Sequence, residues 1–164
     1  MLPQLHVSRQ NQLIPRAINI ENDDDKPAGA FWTSSINEDG ISDWIDWTRS
    51  EQFYDKSELN NLKFFKVIPS MGAKVFCVDS KHDYDQLVSE YYVENFLGQR
   101  FPDYIKLAEM YDGIQITINA LTDSWPGFFN AVNGWACEST AWLRWKFDKV
   151  EEYTLPCRGK MKLF

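Results

Sequence analysis

The sequence predicts an α+β fold built as one domain over residues 1–164. Three observations lead there. The chain length fits one domain and is enough to bury a core. Short β-branched and aromatic runs are mixed with two or three helical patterns in no βαβ rhythm. Aromatic residues make up 15 % of the chain, a supply of large rings that suits both a core and a cleft for a flat ligand.

The elements follow in order. LHVSR (5–9) is a short strand. A polar stretch ending in ENDDDKPAG (21–29) is an exposed acidic loop over about 21–28. GAFWTSS (29–35) is a second strand, and NEDG (37–40) is a turn. SDWIDWTRSEQF (42–53) reads as a helix. Ser42 caps it, Asp43 suits its first turn, and Trp44, Ile45 and Trp47 share a face. LKFFKVIP (62–69) and AKVFCVDS (73–80) are strands. DYDQLVSEYYVENFL (83–97) is the clearest helix, with Asp83 as cap, and DYIKLAEMY (103–111) is another. DGIQITIN (112–119) is a strand, and 121–134 is a loop unusually rich in aromatics. STAWLRWKF (139–147) alternates as a strand with one buried face, a helix from Ser139 being the competitor.

Charge and cysteine usage narrow the function classes. A net charge of −7 disfavours non-specific nucleic-acid binding. No stretch has the length of a membrane span, and the start of the chain is not a signal peptide. Three widely spaced cysteines and two histidines give no zinc template. The expectation is a reduced, cytoplasmic, metal-free protein. No GxSxG, P-loop or GxGxxG is present, so serine hydrolase, NTPase and dinucleotide-fold readings have no foothold.

The candidate chemistry centres on GWACESTAWLRWKF (134–147), which holds a single carboxylate, Glu138, between Trp135 and Trp142. On the strand reading Glu138, Thr140 and Trp142 share the non-core face. Glu138 is then a catalytic or binding group, or a solvated surface glutamate. His6 can offer a ring nitrogen to a hydroxyl, or serve the core. In GAFWTSS, Gly29 permits close backbone approach and Phe31 and Trp32 are flat surfaces. Thr33, Ser34 and Ser35 are hydroxyls that can orient a ribose or support a carboxylate. Cys137 falls on the buried face, far in sequence from either histidine, which argues against a nucleophile.

In their order these motifs resemble the ADP-ribosyltransferase superfamily. There an early strand carries His or Arg, a second strand carries an aromatic or Ser-Thr-Ser run followed by a helix, and a late strand carries the catalytic Glu. The resemblance implies a mixed, split β-sheet flanked by helices. It implies NAD as a substrate, with Glu138 catalytic and His6, Arg9, Phe31, Trp32, Thr33, Ser34 and Ser35 binding it. It also implies a macromolecular or small-molecule acceptor and a role that fits a bacterial or phage effector. Trp125, Phe128 and Phe129, around Pro126-Gly127, are too apolar for a passive linker: they flank the site and help choose the acceptor, or they plug the core beneath the last strand. Trp32 or Phe31 stands where many members have Tyr. Ala136 stands two residues before Glu138, so the Glu-x-Glu pair of arginine-specific members is missing. On this reading Glu138→Gln leaves the fold nearly intact. The competing reading is a non-catalytic acidic module, or an inactive transferase-like fold, that binds a partner through WIDW and SWPGFF.

Overall fold

The computed structural model describes residues 1–23, 26–54, 58, 61–122, 132 and 134–156. It has an α+β fold. Nine strands are seen among these residues: β1 (Gln4–Ser8), β2 (Phe31–Ser35), β3 (Lys63–Pro69), β4 (Val75–Val78), β5 (Tyr92–Glu94), β6 (Arg100–Pro102), β7 (Gly113–Ile116), β8 (Ser139–Trp142) and β9 (Phe147–Glu152). Four helices accompany them: α1 (Asp43–Ser50), α2 (Lys81–Glu90), α3 (Tyr104–Met110) and α4 (Ile118–Thr122). Seven strands form one mixed sheet in the order β4-β7-β8-β2-β1-β3-β9, and β5 and β6 form a separate hairpin. Only β4 and β7 run parallel.

The sheet curls. Phe31 of β2 and Phe147 of β9 are three strand steps apart, about 14 Å on a flat sheet, yet their ring centroids lie 5.5 Å apart. Trp142 of β8 meets the same Phe147 at 4.6 Å, and Trp145 closes the cluster. The concave side is therefore an aromatic core. The convex side is covered by helices. Val78, Ile114, Ile116 and Ala141 pack there with Leu87 of α2 and Leu107 of α3. Leu5 packs with Ile45 of α1 in a smaller cluster beside it.

One pairing is short. β1 registers with β3 over five residue pairs but with β2 over only two, Gln4↔Ser35 and Leu5↔Ser34. Beyond Leu5 the two strands part. The Trp32 carbonyl loses its ladder partner and accepts instead from His6 Nδ1, at 2.8 Å.

Several expectations are corrected. The helix read over 83–97 spans Lys81–Glu90. Tyr91, Tyr92 and Val93 prefer extended backbone, and Gly98 at φ 74° makes the turn of the β5–β6 hairpin. Its cap is Ser80, whose hydroxyl accepts from the Asp83 amide while the Asp83 carboxylate reaches back to Ser80 and the Asp79 amide. The strand read over 112–119 ends at Ile116 and continues as α4. The strand read over 139–147 breaks after Trp142, and both of its faces are buried, because the concave aromatic core takes Thr140 and Trp142. Ser42 is the residue before α1 as expected, but its buried hydroxyl makes no cap bond. Gly29 behaves as read: at φ 76°, a Cβ there would lie 2.0 Å from the Asn19 carbonyl oxygen. Among the described residues no helix is long and apolar enough to cross a membrane.

Candidate functional site

The parting of β1 and β2 opens a cavity of about 440 Å³, within the range of small-molecule sites. Leu5 and Val7 of β1 and Trp32 and Ser34 of β2 form one wall. Trp44 and Trp47 of α1, with Phe53 and Tyr54 after it, form the facing wall. Residues 134–137 close the end, with Trp135 packed edge-on to Trp32 at 4.8 Å. Lys26 stands at the mouth. Its Nζ lies 5.7 Å from the Trp32 ring and donates to the Gly134 carbonyl. A wall of indoles with one cation at the rim suits a flat heteroaromatic ligand that carries negative charge.

Glu138 lies directly behind the Ser34 wall and is 8 % exposed. Its carboxylate is met by four donors. Oε2 accepts from the Ser34 hydroxyl at 2.9 Å and the Ser35 amide at 2.8 Å. Oε1 accepts from the Ser35 hydroxyl at 2.9 Å and Gln115 Nε2 at 2.7 Å. The Glu138 amide in turn donates to Asp43 at the start of α1, and the Trp44 amide donates to the Ser34 hydroxyl. Strands β2 and β7, which flank β8, therefore hold the carboxylate, and the start of α1 holds the Glu138 amide and the Ser34 hydroxyl. That is the geometry of a carboxylate that only accepts.

Behind this first ring of donors the polarity has a fixed direction. Trp142 Nε1, which can only donate, bonds Thr33 Oγ1 at 2.8 Å. Thr33 then donates to Gln4 Oε1 at 2.9 Å, which orients the amide. Gln4 Nε2 donates to Ser35 Oγ at 2.9 Å, leaving the Ser35 proton to face Glu138.

The remaining side chains are chemically quiet. Burial lowers the His6 pKa, the Trp32 carbonyl bond opposes this, and Arg16 adds to the lowering. The neutral ring, with its proton on Nδ1, keeps Nε2 as an acceptor. Cys137 lines the cavity, but burial pushes its thiol up to about 11, with Asp43 and Glu138 adding to the rise. It is no nucleophile near neutral pH.

Of the residues named from sequence, His6, Trp32, Thr33 and Ser34 line the cavity, and Ser35 and Glu138 stand directly behind it. Two do not join them. Phe31 is 1 % exposed in the concave core, where it touches His6, Trp145 and Phe147. Arg9 lies past the end of β1, exposed and paired with Glu58 at 3.2 Å. Trp125, Phe128 and Phe129 lie outside the described residues. Sequence reasoning missed Gln4, Gln115 and Lys26. Gln115 carried a signal, as a lone polar residue between Ile114 and Ile116 on a short strand. Gln4 carried none, because it precedes the apolar-polar run. Among the described residues there is no cluster of three or more side chains able to hold a metal ion. Compared with known proteins, the chain matches no family model, no curated protein and no solved structure.

Proposed function

We propose that this protein is an NAD-dependent mono-ADP-ribosyltransferase with Glu138 as its catalytic carboxylate. The observation that carries the reading is the Ser34–Ser35–Glu138 cluster at the wall of an aromatic cavity, where Ser34 and Ser35 end β2 and Glu138 leads into β8, with β1 on the other side of β2. These strands hold the motifs that resemble the superfamily, in the order that superfamily uses. NAD enters the cavity with its nicotinamide end among Trp32, Trp44 and Trp135. A ribose hydroxyl seated against Ser34 takes the place of the Ser34 hydroxyl on Glu138 Oε2. The bond between the ribose C1′ and the nicotinamide nitrogen then breaks. Nicotinamide leaves with the electron pair, and the ribose gains cationic character, which the Glu138 charge stabilises. An acceptor nucleophile bonds C1′ and loses a proton. His6, whose Nδ1 holds the Trp32 carbonyl where β1 and β2 part, has a positioning role.

The test is nicotinamide release by the purified protein, with and without cell extract as a source of acceptor. Glu138→Gln is expected to lower the rate by about two to three orders of magnitude, the scale for losing one preorganised electrostatic group. His6→Ala is expected to weaken NAD binding more than turnover. A wild-type protein that neither binds NAD nor releases nicotinamide refutes the reading.

One observation favours a second reading, a non-catalytic module that binds a partner through its aromatic face. The Glu138 carboxylate is already satisfied from within the protein, as a purely structural carboxylate would be. NAD separates the two. At a hundred times its dissociation constant a ligand adds about 2.7 kcal/mol of stability, so a melting temperature unmoved by NAD selects the module.

A further inference from the structure

The geometry points to Gln4 as a positioning residue for Glu138, acting through the Ser35 hydroxyl. The inference rests on the proposed role of Glu138, but its test does not depend on activity. Gln4 is fully buried on β1 and makes no direct bond to Glu138. Its amide is a directional link. Thr33, itself held by the Trp142 indole, donates to Gln4 Oε1, so the amide nitrogen must face Ser35. Ser35 Oγ accepts that bond at 2.9 Å and a second from Gln115 Nε2 at 3.2 Å. With both acceptor directions of the hydroxyl taken, its proton points at Glu138 Oε1. Gln4 therefore fixes a donor toward the carboxylate from two residues away, and does so on the strand that borders the cavity. His6 was the β1 residue named from sequence, but it bonds the Trp32 carbonyl and is not part of this chain of bonds.

The direction of the Ser35 proton makes a signed prediction. In Glu138→Gln the new NH₂, whichever oxygen it replaces, must meet donors that cannot turn. Removing Gln4 frees the Ser35 hydroxyl to rotate and accept instead. Gln4→Met keeps the volume and deletes the link. The experiment is a double-mutant cycle of Gln4→Met and Glu138→Gln, read by urea unfolding of the whole chain. The double variant is expected to unfold less readily than the two single effects combined, by about fivefold or more in the unfolding constant. Additivity within about twofold overturns the inference. If Gln4→Met does not fold, Thr33→Val, which removes the donor that orients the Gln4 amide, takes its place in the same cycle with the same two outcomes. In the nicotinamide assay Gln4→Met is expected to lower kcat by up to about a hundredfold with KM for NAD unchanged. An unchanged kcat beside an active wild type also overturns it. A wild type with no activity refutes the transferase reading alone and leaves the folding cycle to decide on Gln4.

Discussion

Glu138→Gln is the substitution on which sequence and structure disagree most directly. From sequence alone the amide looks harmless: same shape, one charge fewer. The structure makes it costly. The Oε2 site faces the Ser34 hydroxyl and the Ser35 amide, and the Oε1 site faces the Ser35 hydroxyl and Gln115 Nε2. A glutamine has one acceptor oxygen and one NH₂, so in either orientation its NH₂ confronts two donors. The Ser35 amide belongs to the backbone, and the Ser35 hydroxyl is held by Gln4, so neither can turn away. Two buried donors are left unpaired, at about 1–3 kcal/mol each. With partial relaxation of Ser34 and Gln115, the expected loss is about 3 kcal/mol. For a chain of this size that is about 6–12 °C in melting temperature. Urea unfolding followed by tryptophan fluorescence measures it. A Glu138→Gln protein within about 0.5 kcal/mol of wild type would refute the donor geometry.

Two further outcomes follow from the shifted groups. Burial holds the His6 pKa below its unfolded value of about 6.5. Between those two values the unfolded chain binds the extra proton. His6 therefore costs no stability above about pH 6.5 and destabilises the fold as pH falls from there toward the lowered value. Unfolding at pH 7.5 and pH 5 should show a smaller pH dependence in His6→Gln than in wild type, and an equal dependence would refute the assignment. Thiol labelling of the native protein near pH 8, read by peptide mass, should reach exposed Cys77 before buried Cys137. It should proceed more slowly than at a free thiol, because burial and then the charges of Asp79, Asp83 and Glu138 raise the Cys77 pKa. Cys137 should label only on unfolding, and native labelling of Cys137 as fast as Cys77 would contradict its burial.

The parts of this fold that were legible in the sequence are those set by local chemistry. The strands at LHVSR, GAFWTSS and LKFFKVIP follow from β-branched and aromatic residues, which act over a few positions, and the helix after Ser42 forms where it was read although Ser42 makes no cap bond. The helix over 83–97 was read too long because Leu87, Val88 and Tyr91 fit a helical stripe. What stops the helix is the pairing of Tyr92–Glu94 with Arg100–Pro102, partners about six to ten residues on. The surroundings of Trp142 were misread for a similar reason. Alternation assigns it to the face opposite Ala141, but only the curl of the sheet puts Phe31 and Phe147 there to bury it. The hydroxyls of Ser34 and Ser35 beside Glu138 could be named from motif order. The Gln115 amide had a local signal, its place between Ile114 and Ile116, but the Gln4 amide had none, because nothing near it distinguishes a glutamine that completes a buried network from one that faces water.

The cavity and the network have a common origin in the short β1–β2 pairing. Had β1 and β2 stayed in register past Leu5 and Ser34, the Trp32 carbonyl would bond a backbone amide of β1 and no gap would open between the strands. The two pairs that do form, Gln4↔Ser35 and Leu5↔Ser34, lie just where Ser34 and Ser35 address Glu138. One end of the pairing is thus held firm, with Gln4 locked to Ser35 and Thr33, while at the other the strands part and His6 bonds the Trp32 carbonyl. The rigid end fixes a carboxylate, and the spread end makes room for a ligand next to it. A site needs both, a preorganised charge and an adjacent volume. The junction between them is Ser34, whose hydroxyl bonds Glu138 on one side and borders the cavity on the other.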